Sequence, residues 1–523
     1  MNHSLLSETT LEQWYSRCAA FFREYRYAFG GALLCGLLAY TYAFTNKLVN
    51  LDDLYYLFGK GATLESGRWG LVLLSLVFPD YSMPWVYGIL SLLLISFGIV
   101  LCIHMFSIQN KALQFLVAGL MVTFPAMAAT FSYTFTISSY AVSFITAILP
   151  AYLLYPKDGK RIDGKRAALA LISSVFSGSI YQAYIAITAS LLILILIQRI
   201  LTGKETEKQL FFTGLGYVVF LALSLGLYWL SAKVVWSITG THVGSYADAA
   251  LTFDRTAILR NVKNAYACTF RIFVSGFYEL IATPVAKAAH LFCGALAVVE
   301  ALIWMGQKRN PARIALLIFV TAMLPLTMNC MFLFVNDIMI HSLVMYAFTS
   351  VYLLTAILLE TCQNIFLGKS LWNRLRKRGY EALLWAMALI IAGNIYFANK
   401  GYLNLHLQYE STQSFASTVI AALQNTPGFE KDSKVAILGT YKKPQSMYDA
   451  FGYLEGIHGL EGIAPYTYSI AKLFEYYNGI QLNFASGEDL SGVYSSEAFA
   501  NMPPFPGNGS VQQINGVFVV RLS

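Results

Sequence analysis

The chain has 523 residues, of which 57% are hydrophobic, 15% aromatic and only 12% charged. This composition excludes an ordinary soluble domain and predicts an α-helical polytopic membrane protein. The formal net charge of +8 does not indicate a nucleic-acid-binding protein, because Lys and Arg cluster in short loops between apolar stretches. In that position they are signals of membrane topology.

About eleven apolar stretches approach the roughly 20 residues that a helix needs to cross a bilayer. They lie near 28–46, 84–106, 112–131, 133–155, 166–181, 183–200, 210–236, 286–306, 313–334, 341–362 and 381–398. The fifth and sixth stretches come from one long apolar run, which we divide near Ser177–Ser179. We expect the first stretch to remain as an anchor, because residues 1–27 are charged and lack a small-residue cleavage signature.

The basic loops predict the orientation of these helices. With the N-terminus in the cytoplasm, every strongly basic short loop falls inside, as the positive-inside rule requires. These loops lie near 157–166, 199–208, 308–313 and 374–378. The same orientation places residues 47–83, a loop near 237–285 and everything from residue 399 outside.

The C-terminal quarter of the chain is polar and interrupted by Gly, Asn and Pro. Within it, Lys434–Gly439 and Gly516–Val520 are typical of strands, whereas Ser414–Gln424 and Ser469–Tyr477 have helical periodicity. We therefore predict a small α/β domain outside the membrane. The predicted parts are a cytoplasmic segment 1–27, a transmembrane domain 28–398 and an extracytoplasmic domain 399–523.

An acidic pair, Asp52-Asp53, follows the first apolar stretch. Carboxylates at a membrane boundary are costly to keep, so this pair is a candidate functional site. Successive helical side chains point about 100° apart, so one carboxylate can act as general base while the other orients it or holds a cation. The alternative is that the pair caps a helix lying on the membrane surface.

Cations in the predicted outside loops are not needed for topology, so they are candidates for binding a phosphate group. These residues are Arg68, Arg255, Arg260, Lys263 and Arg271. The alternative for the loop near 237–285 is an amphipathic surface helix whose cations meet lipid head groups. For Arg68 the alternative is an ion pair with Asp53 or Glu65.

Aromatic and amide side chains near the predicted outer boundary are candidates for contacts with sugar rings. These residues are Tyr55, Trp69, Tyr133, Tyr181 and Gln182. The alternative for the tyrosines is an interfacial aromatic belt. No His-Glu-x-x-His, Gly-x-Ser-x-Gly or P-loop pattern occurs, so soluble hydrolases and nucleotide-driven pumps lack their chemistry here.

Taken together, these motifs resemble a known family. Asp52-Asp53-Leu54-Tyr55-Tyr56 is similar to the acidic motif of GT-C superfamily glycosyltransferases. The chain as a whole resembles the Gtr-type glucosyltransferases associated with O-antigen modification. The further segments that carry this resemblance are Gly67-Arg68-Trp69, Phe131-Ser132-Tyr133 with Tyr140, Tyr181-Gln182-Ala183-Tyr184 and the outside C-terminal region.

The resemblance implies an enzyme of the bacterial cytoplasmic (inner) membrane that moves a hexose, expected to be glucose, from polyprenyl phosphate to a cell-surface glycan such as O-antigen or wall polysaccharide. Matched by position, Asp52 would be the base and Asp53 its partner, although many GT-C enzymes have an Asp-Glu pair here. The implied partners are the lipid-linked donor, the glycan acceptor, membrane lipid, a donor synthase and a flippase, and no nucleic acid. No cofactor is assigned, and the need for a divalent cation such as Mg²⁺ or Mn²⁺ stays open.

Two other classes of protein share some of these features. A transporter or flippase of lipid-linked saccharides would show charged or broken helices near mid-membrane and a two-fold repeat. Here the notable charges lie outside the predicted spans. A polysaccharide polymerase or ligase could use a basic outside loop but would not need the acidic pair. Direct transfer from one donor, with a base activating the acceptor hydroxyl, predicts inversion at the anomeric carbon.

Overall fold

The fold is a bundle of long apolar helices followed by a small β-sheet with helices on both faces. The computed structural model describes residues 10–48, 50, 52–53, 56, 63–78, 82–155, 163–242, 255–275, 284–308, 310–333, 342–363, 365, 370–439, 457 and 468–523. Statements about the structure refer to these residues.

The first half of the chain forms nine helices in its described part. They are α1 (Thr10–Glu24), α2 (Arg26–Thr45), α3 (Trp69–Ser75), α4 (Pro84–Met105), α5 (Lys111–Thr123), α6 (Pro125–Ser132), α7 (Ile137–Leu154), α8 (Gly164–Ile180) and α9 (Ile185–Thr202).

The remaining helices and the strands follow in the second half. They are α10 (Glu207–Thr239), α11 (Ile258–Phe270), α12 (Pro284–Lys308), α13 (Pro311–Met328), α14 (Ser350–Cys362), α15 (Ser370–Gln424), β1 (Lys434–Leu438), α16 (Tyr468–Asn478), β2 (Asn483–Phe484), α17 (Glu488–Tyr494), α18 (Glu497–Asn501), β3 (Val511–Ile514) and β4 (Val517–Arg521).

Each of the eleven predicted spans coincides with helical structure. Among the described residues, eight helices are long and apolar enough to cross a membrane, or nine if the bent pair of α5 and α6 is one span. Two further predicted spans are shorter helices, since α8 has 17 residues and α14 has 13. The prediction of a polytopic helical membrane protein therefore agrees with the structure, and the count of eleven spans stays a prediction.

Two of the helical regions that correspond to predicted spans are interrupted, one at Pro125 and one at Tyr181. The third predicted span bends by 47° between α5 and α6, because Pro125 has no N–H to donate and restricts the residue before it. The fifth and sixth spans are separate helices, with the extended residue Tyr181 between them rather than Ser177–Ser179. Gln182–Tyr184 then form a 3₁₀ turn that leads into α9.

The outer surface of the bundle is apolar. Leu223 and Leu230 of α10, Phe319 of α13 and Trp385 of α15 all have exposed side chains, as do many of their neighbours. A water-soluble protein does not expose so large and continuous an apolar surface. Lipid chains are its expected surroundings.

A buried ion pair fastens three helices at the end of the bundle opposite the acidic pair. Arg376 of α15 donates to both carboxylate oxygens of Glu300 of α12, at 2.9 and 2.6 Å. The same guanidinium also donates to the carbonyl oxygens of Cys362 and Ile365, at 2.6 and 2.8 Å. The last carbonyl groups of a helix have no hydrogen-bond partner within the helix. Arg376 therefore donates hydrogen bonds at the end of α14 and also neutralises the buried charge of Glu300.

The C-terminal region contains a four-stranded sheet in the order β2-β1-β4-β3. β1 is parallel to β4, with Lys434 opposite Val517, and β3 is antiparallel to β4, with Val511 opposite Val520. Asn515 and Gly516, both with positive φ, form the two-residue turn between β3 and β4. Both strands predicted in this region are confirmed.

The sheet buries both faces, and helix α15 covers one of them. Val435 and Val520 pack with Val419 and Leu423 of α15 and with residues of α16. The alternate strand residues pack on the other face against α17 and α18. Helix α15 continues without interruption from the bundle to Gln424, so the predicted end of the last span near residue 398 falls inside a helix and stays a prediction.

The buried hydroxyl of Tyr402 makes a hydrogen bond between α15 and α6, and its contribution to stability can be measured. It donates to the carbonyl oxygen of Ala128 in α6 at 2.7 Å. We expect Tyr402→Phe to lower the free energy of unfolding by about 1 kcal/mol, since a buried hydrogen bond is lost. Tyr396→Phe, at an exposed position of the same helix, is the matched control and should have no effect. Thermal unfolding in detergent measures both, and equal midpoints for the two variants would contradict the assigned contact.

Candidate active site

The acidic pair lies on a short helical turn that Asn50 caps. The Asn50 side-chain oxygen accepts hydrogen bonds from the backbone N–H groups of Asp52 and Asp53, both at 2.9 Å. The Asn50 amide nitrogen donates to the carbonyl oxygen of Ser132 at 2.9 Å, which ties this turn to the end of α6. Asn50 supplies the helix cap, so the carboxylates are not needed for that purpose.

The two carboxylates have different surroundings. Asp53 is fully buried and accepts hydrogen bonds from the Thr134 hydroxyl at 2.7 Å and from the backbone N–H groups of Thr134 and Phe135 at 3.4 and 3.1 Å. Burial raises the pKa of Asp53 above its ordinary value, while Lys47 and these hydrogen bonds act in the opposite direction. Asp52 is only partly buried, so part of its side chain is exposed to solvent.

A lysine and a serine that the sequence analysis did not single out complete the surroundings of Asp53. Lys47 Nζ donates to Ser82 Oγ at 2.5 Å and to Thr134 Oγ1 at 3.3 Å. One signal in the sequence pointed to Lys47: it is a cation directly after the first span, on the side where topology does not need one. Thr134 carried no such signal.

Arg68 is held by an amide and two tyrosines. Its Nε donates to Gln182 Oε1 at 3.3 Å, and its Nη1 donates to the Tyr140 hydroxyl at 3.4 Å. The guanidinium also lies over the Tyr181 ring, 5.4 Å from its centroid, and Tyr181 is stacked on Tyr140 at 4.6 Å. The structure thus brings together three of the predicted candidates, Arg68, Tyr181 and Gln182.

The same cluster includes Tyr228 of α10, which the sequence analysis missed. Gln182 Nε2 donates to Ser66 O at 2.7 Å and to the Tyr228 hydroxyl at 2.9 Å, and Tyr228 donates to Gly67 O at 3.3 Å. Gly67 has φ +74°, and an added Cβ would lie 2.8 Å from the Tyr228 hydroxyl. Only glycine suits this backbone position without strain.

Trp69 is next to Arg68 in the chain, and Tyr133 is next to Thr134. The Trp69 indole nitrogen donates to Ser231 Oγ at 3.1 Å, so this side chain joins α3 to α10. Tyr133 follows α6, with its ring 6.3 Å from that of Phe135. Tyr55 lies outside the described residues. The roles of these three residues in binding a sugar stay predictions.

Residues 134–140 contact both the turn that carries Asp52 and Asp53 and the cluster formed by Arg68, Tyr140, Tyr181, Gln182 and Tyr228. Thr134 binds Asp53, and Tyr140, six residues later in the first turn of α7, binds Arg68. Three chain steps and one helical turn limit the separation of the two Cα atoms to about 16 Å. The partly exposed carboxylate of Asp52 and the guanidinium of Arg68 therefore lie at the same end of the helix bundle.

The cations predicted in the loop near 237–285 that the structure describes lie on α11 and directly after it. Arg260 and Lys263 are on the exposed side of α11. The opposite side of α11 packs on α13, where Asn329 donates to Ala265 O at 3.1 Å and Tyr266 donates to Ala322 O at 2.8 Å. Arg271 is also exposed. The side chain of Arg255 is outside the described residues.

The described residues contain no group of three or more His, Cys, Asp or Glu side chains arranged to hold a metal ion. A role for Asp52 or Asp53 in holding a divalent cation stays a hypothesis.

The fold and this site together define a membrane protein with a buried carboxylate, an accessible carboxylate and an arginine–aromatic cluster at one end of its helices. The sequence profile of the glucosyl transferase GtrII family matches residues 41–357, more than half of the chain. The chain belongs to this family, which confirms the resemblance to Gtr-type glucosyltransferases. No curated protein and no solved structure matches it.

Proposed function

We propose that this glucosyltransferase moves glucose from a polyprenyl-phosphate donor to a cell-surface glycan such as O-antigen or wall polysaccharide. The observation that carries the proposal is the pairing, on residues 134–140, of the turn bearing Asp52 with the cage around Arg68. A carboxylate able to take a proton and a guanidinium able to hold a phosphate are the two groups that such a transfer requires. Family membership supports the glucosyl part of the proposal.

The position of the site favours a lipid-linked donor. The site lies where apolar helices end, so a lipid chain can remain between helices while its phosphate reaches Arg68. The positive-inside pattern favours the outside of the cytoplasmic membrane for this end. A nucleotide sugar is not available there, whereas a polyprenyl-phosphate sugar can be presented from the membrane.

Each residue has a defined part in the proposed step. Asp52 takes the proton of the acceptor hydroxyl as that oxygen bonds to the anomeric carbon of glucose. The bond from this carbon to the phosphate oxygen breaks, and polyprenyl phosphate leaves with the electron pair. Arg68 stabilises the charge on the leaving phosphate.

The proposed transfer is direct, so it inverts the anomeric configuration. The acceptor hydroxyl, activated by Asp52, approaches the sugar on the face opposite the phosphate. Asp53 is occupied by Thr134 and Phe135, which supports a role in holding the turn and not as a second reacting carboxylate. No covalent sugar–enzyme intermediate is needed.

The deciding experiment uses purified full-length protein with radiolabelled polyprenyl-phosphate glucose. Transfer to a glycan acceptor, or slow hydrolysis of the donor without an acceptor, is the expected result. Movement of the intact donor between bilayer leaflets without cleavage would indicate a flippase instead. Extension of a lipid-linked glycan in the absence of the monosaccharide donor would indicate a polymerase or ligase.

The proposed orientation predicts which positions an impermeant thiol reagent can reach. We expect a cysteine replacing Glu65 to react in intact cells or spheroplasts, and one replacing Lys165, near Lys160, to react only after permeabilisation. Both side chains are exposed, so accessibility within the protein is matched. External labelling at position 165 would overturn the orientation.

A further inference from the structure

Lys47 lies two residues beyond the end of α2 and directs its ammonium group inward, towards Asp53. Nζ donates to Ser82 Oγ at 2.5 Å and to Thr134 Oγ1 at 3.3 Å. Burial lowers the pKa of Lys47, and the charge of Asp53 opposes this effect. Burying part of an ammonium group costs free energy of desolvation unless a nearby negative charge compensates it.

The hydrogen-bond directions around Thr134 follow from its single O–H group. This hydrogen is donated to Asp53 Oδ1 at 2.7 Å, so Thr134 must accept from Lys47. Ser82 accepts from Lys47, and its own O–H is free to be donated to Thr134 Oγ1, which lies within hydrogen-bonding distance. The chain of donors therefore runs in one direction, from the ammonium to the carboxylate.

Lys47 is the positively charged side chain near the buried carboxylate of Asp53. Among the described residues, the titratable groups that interact with Asp53 are Lys47 at the end of α2 and Tyr477 of α16, with Asp52 next to it in the chain. Burial raises the pKa of Tyr477, and the negative charge of Asp53 adds to this effect. Lys47 supplies the positive charge among these groups, and a buried carboxylate without a positive partner would be strongly unfavourable.

We infer that Lys47 is a positioning residue of the transferase: through the Thr134 hydroxyl it supports the hydrogen bonds that hold Asp53 on residues 134–135, and this holds the adjacent Asp52 in its reactive orientation. The inference rests on the proposed function. Asp53 and Asp52 share one helical turn, so the three hydrogen bonds that fix Asp53 also fix the direction of Asp52.

The first test separates turnover from donor binding. Lys47→Met should lower kcat by about 10- to 100-fold, the usual effect of losing a hydrogen bond to a charged group. Affinity for polyprenyl phosphate should stay the same, because Lys47 acts on Asp53 and not on the donor. Lys233→Met, at an exposed lysine of α10, is the control and should change neither. A loss of donor affinity in Lys47→Met, with unchanged kcat, would overturn the inference.

The second test asks whether Lys47 acts through Thr134 and Asp53. Thr134→Ser retains the hydroxyl and should resemble the parent, whereas Thr134→Val should resemble Lys47→Met. In the Asp53→Asn background, Lys47→Met should lower kcat only slightly further, because the carboxylate with which Lys47 interacts is absent. Full additivity of the Lys47 and Asp53 changes in kcat would show that the two residues act independently.

The third test uses pH. Activity should fall on the acid side as Asp53 is protonated, at a pH above the ordinary aspartate value of 3.8, because its pKa is raised. Lys47→Met removes an influence that lowers this pKa, so the acid limb of its kcat profile should move to higher pH. An acid limb that is unchanged in Lys47→Met would contradict the proposed coupling.

A stability measurement keeps this inference separate from the proposed function. If the parent shows no transfer, the proposed function fails, but thermal unfolding of the parent and of Lys47→Met can still be compared against pH. The folded-state pKa of Asp53 is raised, so the variant's loss of stability should grow as pH rises through that pKa and an unpaired carboxylate forms. A difference in midpoint that is the same at all pH values would refute the coupling.

Discussion

Replacing Asp52 by Asn is expected to slow glucosyl transfer by about 10²–10⁴-fold, while the protein still folds and binds its lipid-linked donor. The amide keeps the size of the carboxylate but cannot take the acceptor's proton. Asp52 is partly exposed and Asn50 caps the turn, so the change leaves no buried charge and removes no cap. Initial rates at saturating donor and acceptor, together with donor affinity, measure the effect.

The matched control is Glu65→Gln, which alters an exposed carboxylate in the same loop. This control should retain the parent rate. Loss of folding together with activity in Asp52→Asn would favour a structural role for the acidic pair. A rate close to that of the parent would eliminate Asp52 as the base.

Replacing Arg68 by Lys is expected to weaken binding of polyprenyl phosphate by about tenfold or more. A lysine keeps the positive charge but cannot reproduce the planar fork of the guanidinium. Gln182 and Tyr140 accept from two different nitrogens of Arg68, and a lysine has only one nitrogen at the end of its side chain, so the contacts around the cation would loosen. Binding of polyprenyl phosphate with and without its sugar measures the change.

The control for this substitution is Arg378→Lys, at an exposed arginine near the start of α15 and the other end of the bundle. Alanine variants at the remaining predicted cations belong in the same assay: Arg255, Arg260, Lys263 and Arg271. If these four and Arg68→Ala all bind both lipids as the parent does, the phosphate site lies elsewhere, and α11 is a membrane-surface helix.

Local sequence patterns were sufficient to predict the long apolar helices and two of the four described strands. The apolar stretches are long, and the strands Lys434–Leu438 and Val517–Arg521 alternate between two buried faces, so short windows contained the signal. The continuity of α15 could not be predicted in this way. Its segment after residue 398 is polar where it leaves the bundle, and the helix is retained through contacts with distant parts of the chain, such as Tyr402 with Ala128.

The candidate site was predictable only in part. Asp52 and Arg68 stand out because charge is rare in this chain, and Gln182 stands out beside tyrosines at a helix break. Their partners are ordinary residues far away in sequence, such as Thr134 and Tyr228. Hydrogen bonds across more than 40 residues depend on how the helices pack, and no local pattern encodes them.

Helix α15 belongs both to the bundle and to the core beneath the C-terminal sheet. Its 55 residues contain no proline, and at 1.5 Å per residue they form a rod roughly 80 Å long. One part of the rod packs against α2 and α6, and its last turns form part of the core beneath β1 and β4. Movement of the sheet relative to the bundle would therefore have to bend α15 or break its contacts with α2 and α6.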